Sequence, residues 1–332
     1  MLRSAIFLFF ILNALCADSQ ILPAFGGSRT GTTGFQFLKI APDARSTGMA
    51  ETFIAVVNDV SSVYWNPAGI TKVDSQNVHL QLGHTAYFAG TNNDYIGAVH
   101  KVGADAYLGY SLTAFNSGAM NLTTEFQPFG TGQTFKVSDI SAGITYGLRM
   151  TENFCFGATG RLINESIAGI NNTNLVFDFG FQYDIGKANT RFAVVVSNFG
   201  FNGEPNGSIE HLDLNGIDTV TQFQKVAVPA IFRIGVATDL IKKEEHQFTF
   251  AGQLNHPTDN NETLGLGAEY SWHHILYVRS GYQFGMDESG LPAFGFGIRF
   301  QRNFGMVNFD YGFQHKSVLG MIHRLTLGIS LF

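Results

Sequence analysis

Thr263-Leu264-Gly265-Leu266-Gly267-Ala268-Glu269-Tyr270-Ser271-Trp272 decides the fold. Leu264, Leu266, Ala268, Tyr270 and Trp272 alternate with Thr263, Gly265, Gly267, Glu269 and Ser271. A period of two gives a strand one apolar face and one small or polar face. Neighbouring segments repeat it. Leu276, Val278, Ser280, Tyr282 and Phe284 oppose Tyr277, Arg279, Gly281 and Gln283, and Phe294, Phe296, Ile298 and Phe300 oppose Gly295, Gly297, Arg299 and Gln301. Val307, Phe309, Tyr311 and Phe313 oppose Asn308, Asp310, Gly312 and Gln314. Leu325, Leu327, Ile329 and Leu331 oppose Arg324, Thr326, Gly328 and Ser330. Upstream, Leu175, Phe177, Phe179, Phe181 and Tyr183 oppose Asp178, Gly180, Gln182 and Asp184.

The polar face separates a soluble sandwich from a membrane barrel. A sandwich would turn a Lys-rich face to water. Here that face is Gly, Ser, Thr and Gln with isolated charges, the composition of a crowded, hydrated lumen, and the aromatic-rich face is suited to lipid. Closure leaves no unpaired backbone edge in hydrocarbon. Turn signals divide the chain into about 14 strands, an even number typical of such barrels, with Ala104 to Phe126 taken as one long strand bent at Asn116-Ser117-Gly118. The predicted class is all-β: a transmembrane antiparallel β-barrel with an N-terminal plug in its lumen. Met150 to Asn153, His273-His274 and Arg302-Asn303 read as short periplasmic turns, and 201 to 224 as the longest extracellular loop.

Composition agrees. Of 332 residues 45% are hydrophobic and only 14% charged, against roughly 25% charged in soluble domains. A net charge of −6 with no basic stripe excludes a nucleic-acid footprint. Residues 1–17 read as a signal peptide, with Arg3, an apolar run from Ala5 to Leu12 and small residues near Ala14 to Ala17. The run is too short to span a bilayer. A lipid anchor on Cys16 is the rival reading, and the bulky Leu15 before it fits poorly. Cleavage would leave Cys155 without a disulfide partner.

Residues 18–36 are polar, without periodicity, and read as a flexible leader. Residues 37–75 read as the plug and 76–332 as the barrel. The plug contains FLKIAPDARSTGMAETFIAVVNDVSSVYWNPAGI, Phe37 to Ile70. Asp43 is placed to cap a helix from Ala44, while Phe53, Ile54, Val56 and Val57 anchor the following piece. Pro67 drives Asn66 out of the helical region, so Asn66-Pro67-Ala68-Gly69 forms a rigid turn that can be wholly structural.

The run Leu38 to Met49, with Pro42, Asp43, Ala44 and Arg45 at its centre, followed by Tyr64-Trp65-Asn66-Pro67-Ala68-Gly69, resembles the amino-terminal signature of the PorV/PorQ family of outer-membrane proteins. That family lies within the barrels typified by the fatty-acid transporter FadL. The aromatic ending at Phe332 fits such barrels in kind, although Phe332 falls out of phase with Leu325 to Leu331. The resemblance implies an outer-membrane barrel of the type IX secretion system, itself monomeric and without cofactor. It would bind the carboxy-terminal signal domain of exported cargo and carry it from the translocon to the attachment machinery. The alternative it implies is FadL-like transport of hydrophobic small molecules, with the plug as gate and the break at Asn116 to Gly118 as a wall opening. The small, polar lumen face favours the first.

Glu269, Arg279, Arg299, Asp310 and Arg324 fall on the lumen face of consecutive strands, where opposite charges should pair between neighbours. They read as a brace for wall and plug, or as contacts for a polar ligand or inserted peptide. Adjacent His273 and His274 would face opposite ways on a strand, so no metal site is expected. No phosphate-cradling loop and no converging Ser, His and acid are evident, so no enzyme is expected.

Overall fold

The computed structural model describes residues 29–73, 78–125, 127–186, 189–213, 216–285 and 291–331. Fourteen antiparallel strands close into a barrel. In chain order they are β1 Val78–Ala86, β2 Asn92–Lys101, β3 Ala106–Asn116, β4 Val137–Arg149, β5 Phe154–Ile167, β6 Ile170–Asp184, β7 Arg191–Gly200, β8 Ile231–Lys242, β9 His246–Pro257, β10 Thr263–Trp272, β11 Leu276–Phe284, β12 Ala293–Arg302, β13 Gly305–Lys316 and β14 Gly320–Leu331. Each pairs with its sequence neighbour, and β1 closes on β14 from Val78↔Leu331 to Ala86↔His323.

The alternation read from the sequence is the inside–outside alternation of the wall. In β10, Gly265, Gly267, Glu269 and Ser271 are buried and Leu264 and Trp272 exposed. Exposed Val278, Phe294, Phe296, Ile298, Phe309, Leu325 and Leu327 make the outer surface continuously apolar. A patch this extensive is stable only against lipid.

The connections at one end are short, including 102–105, 150–153, 273–275 and 303–304, whereas 117–136 and 201–230 lie at the other. Short turns mark the periplasmic end and long loops the outer end. His273 and His274 sit in such a turn, both at positive φ (50° and 54°), not on a strand.

Three expectations change. Ala104 to Phe126 is not one bent strand: β3 ends at Asn116, where the Asn116 side chain accepts from Gly118 N–H. Beyond it, Met120–Asn121 and Thr134–Phe135 form a separate ribbon off the wall. Polar turn chemistry at Asn116 to Gly118 therefore ends the strand instead of kinking it. The 201 to 224 segment, read as a loop without strands, carries a hairpin of Ile209–Asp213 with Gly216–Val220. Bridges Asn171↔Asn206 and Gly203↔Val226 fasten its flanks. The leader read as 18–36 packs by its end: Thr33 bridges Ala227 and Phe35 is fully buried, because its ring joins Ile163, Val176 and Val228 in an apolar cluster. The expected signal peptide, residues 74–75 of the expected plug and Phe332 lie outside the described residues.

Candidate functional site

From Thr33 the chain descends through the lumen. Helix α1, Ala44–Gly48, is capped by Asp43, which accepts from Ser46 N–H at 2.7 Å. Helix α2, Ser62–Trp65, leads through Asn66 into a 3-10 helix at Pro67–Lys72. Asn66 is extended (φ −156°, ψ 105°) and its side chain accepts from Ala68 N–H. Asn66-Pro67-Ala68-Gly69 thus opens a helix, where the sequence suggested an isolated turn. Phe53, Ile54, Val56 and Val57 pack with Ala193, Val195, Ala237 and Ala251 of the wall.

Buried Asp43 also accepts from Trp65 Nε1–H at 2.7 Å, tying the first half of the descending segment to the second. Burial and nearby Asp59 push its carboxyl up to about 6, against the opposing hydrogen bonds from Ser46 and Trp65. A carboxyl raised on folding stabilises the folded state fully below its unfolded value near 4 and loses that contribution as pH rises towards 6. Asp43→Asn is therefore expected to flatten the unfolding midpoint of the purified barrel between about pH 4 and 6, where the native protein loses roughly 2–3 kcal/mol. Parallel pH profiles for the two proteins would contradict the assignment.

Arg45 meets the wall. Its Nε and Nη2 donate to Glu269 Oε2 and Oε1 at 2.9 and 2.8 Å, and Nη1 reaches Asp59 Oδ2 at 2.6 Å. Burial alone would lower the Arg45 pKa, but Glu269 and Asp59 hold it above the ordinary value. Glu269 stands directly opposite Arg279 and accepts from its Nε at 2.5 Å; Arg279 Nη1 donates to Asp310 at 2.6 Å. Arg45, Glu269, Arg279 and Asp310 form one buried chain of charge-assisted hydrogen bonds.

Arg299 and Arg324, expected on the same ladder, are elsewhere. The register places Asn308 opposite Arg299 and Gly297 opposite Asp310, so Asp310 reaches over glycine to Arg279 on the strand beyond. Arg299 instead lies over the Tyr277 ring, 4.9 Å from its centroid. Arg324 faces Gly312 and turns to the plug, donating to Thr47 Oγ1 at 2.8 Å with Glu51 at 3.8 Å. Asp59 and a second cluster, Arg161 with Asp178 and Asn198, were not singled out from the sequence. Asp178 was visible on the lumen face, but its partner strand was not.

Above the plug a cavity of about 300 Å³ lies at the outer end. Glu51 and Trp65 line it from the plug, Arg233, Gln253, Asn255 and Arg324 from the wall, and Tyr87, Asn260 and Leu319 from the loops. Lys39 also lines it and is held by Asp259 at 3.0 Å. Among the described residues no cluster of three or more His, Cys, Asp or Glu is placed to hold a metal ion. Arg233, unremarked in the sequence, has its guanidinium over Trp65, 5.5 Å from the ring centroid.

The geometry, a lumen filled by its own N-terminal segment beneath a polar outer chamber, can be set beside known proteins. No curated protein matches the chain. Among solved structures it is similar to the CymD monoaromatic hydrocarbon channel, at 14% identity and TM-score 0.56, over 87% of this chain and 96% of that one. The Ralstonia pickettii toluene transporter TbuX is similar at 10% identity and TM-score 0.57, over 88% and 97%. A Pseudomonas aeruginosa FadL homologue is similar at 11% identity and TM-score 0.55, over 87% and 98%. At these identities the likeness is one of fold alone. The model of the type IX secretion system protein PorV matches residues 26–256, which hold the whole descending segment and the wall through most of β9. On that match, which covers more than half of the sequence, this outer-membrane barrel belongs to the PorV family of the type IX secretion system.

Proposed function

We propose that this barrel receives exported proteins at its outer end by their carboxy-terminal signal domain and passes them from the translocon to the attachment machinery. The family match, on a barrel whose lumen is occupied by its own chain, carries the reading. With the segment from Phe35 to Lys72 packed against the wall, the outer loops and the chamber below them are the surfaces left for a partner. The 201–230 connection, with its hairpin, is the largest of these.

Transport of small hydrophobic molecules is the second reading, favoured by the fold shared with the hydrocarbon channels. Against it stands the chamber lining, where Lys39, Glu51, Arg233 and Arg324 offer charge to a solute that needs none. Affinity purification of the tagged barrel from its native outer membrane, with mass spectrometry of what is retained, separates the two. Secreted proteins sharing a carboxy-terminal domain, or a large translocon barrel, are the expected recovery. The barrel alone with lipid-like molecules would support transport instead. Deleting 201–224 is expected to abolish cargo recovery while heat-modifiable mobility shows a folded barrel; undiminished capture would remove that loop from the contact.

A further inference from the structure

Among the described residues the outer chamber has more positive charge than its own side chains neutralise. Lys39, Arg233 and Arg324 line it against Glu51, with Asp259 behind Lys39. Arg324 leans towards Glu51 and leaves its buried Nε without a hydrogen-bond partner. Arg233 differs further. It is 7% exposed, and among the described residues no carboxylate lies within 4.0 Å of it. Nη1 donates to Ser197 Oγ at 2.7 Å and the plane rests near Trp65. A guanidinium carries five N–H donors, so one hydroxyl leaves most of its hydrogen-bonding edge unused. Enclosing such a cation with no carboxylate in contact is costly, and Glu51 and Asp178 act on it only from farther off. An anion is the complement that the described lining does not supply.

The walls narrow its chemistry. Ile40, Ile231 and Ile322 are buried apolar side chains of the lining, so the charged head must be carried on an apolar or mixed skeleton. Ligand pockets start at about 300 Å³; this one fits a chain end and not a folded domain. We propose that the chamber binds a carboxylate at the end of a chain, with Arg233 as its principal donor, Trp65 as its platform and Arg324 as the second cation. A polypeptide end and a fatty acid both supply that group, so the proposal does not depend on the cargo reading.

Trp65 and Trp272 are the two tryptophans of the sequence, and Trp272 faces outward. Trp272→Phe protein in dodecyl maltoside therefore reports chamber occupancy through Trp65 emission alone. Acetyl-Gly-Ser-Gly-Val-Val with a free carboxyl, its carboxamide, dodecanoate and inorganic phosphate are the probes. The free acid, dodecanoate or both are expected to titrate the emission, the carboxamide at least tenfold more weakly. Arg233→Gln should weaken the carboxylate at least tenfold and Arg233→Lys less, with heat-modifiable mobility unchanged. Equal binding of acid and carboxamide, equal binding by Arg233→Gln, phosphate binding as tightly as either carboxylate, or no binding by any probe would each overturn the proposal. Dodecanoate binding with a silent peptide would uphold it and count for transport over cargo capture. Cargo recovery with no probe binding would leave the cargo reading standing and this one fallen.

Discussion

Glu269→Gln is expected to lower the stability of the barrel by about 3–5 kcal/mol, the loss found when one member of a buried ionic network is removed. Glu269 is the shared acceptor of Arg45 and Arg279, and the side chains of all three are less than a tenth exposed. The amide keeps the volume but accepts with one oxygen and carries no charge. Two guanidinium groups then face each other with Asp310 and the half-buried Asp59 as the remaining counter-charges. The measurement is the urea midpoint of unfolding in lipid vesicles, read by heat-modifiable mobility. Arg45→Met combined with Glu269→Leu removes a charge of each sign, leaves Arg279 with Asp310, and is expected to recover part of the loss. An unchanged midpoint in Glu269→Gln would mean that water, not the network, satisfies these groups.

Gly157→Val and Gly281→Val are expected to lift the plug off the wall. A Cβ at Gly157 would stand 2.3 Å from the carbonyl carbon of Pro67, and one at Gly281 2.3 Å from that of Met49. Both obstacles are backbone, which cannot turn aside as a flexible side chain can. Overpacking of this kind costs about 1–3 kcal/mol, sometimes more, and here the strain falls on the contact between segment and barrel. Trypsin should then cut at Lys39, Arg45 and Lys72 in the assembled barrel, sites shielded in the native protein. Gly160→Val is the control, because its nearest neighbours are Phe177 ring carbons at 3.8 Å on the outer face. Native-like protection in both inward variants would show that the segment is held elsewhere.

These glycines illustrate how far the sequence could be read. Gly265, Gly267, Gly281, Gly295, Gly297 and Gly312 announced a small-residue inner face because alternation is local, so strand existence and inward facing were legible. What each glycine faces was not, since that depends on register with neighbouring strands at Gly297 and, at the others, with a segment more than a hundred residues away. The ion ladder fails for the same reason. Facing told that Arg279, Arg299, Asp310 and Arg324 point inward, but pairing requires knowing that Asp310 stands opposite Gly297 and Arg324 opposite Gly312. Arg45 was legible as part of a motif and not as the partner of Glu269. Arg233 carried no local signal, as its surroundings, the Trp65 ring and the Ser197 hydroxyl, come from other parts of the chain. Ala104 to Phe126 was misread because the apolar pattern continues past Asn116 while the backbone has already turned away.

Thr33 bridges Ala227 at the loop end, whereas Arg149 holds the Thr71 carbonyl and Lys72 pairs with Asp184 at the turn end. The polypeptide therefore crosses the whole lumen before its first strand begins, and that strand pairs with the last one made. Once β1 and β14 have zipped together, side chains as large as Trp65 and Phe53 cannot be drawn in through a crowded bore. Assembly must be ordered: the segment settles onto a still open, curled sheet, and the seam shuts over it. The occupant is then a template on which the cylinder is wound. Substitutions that loosen its grip should slow closure as well as weaken the finished wall.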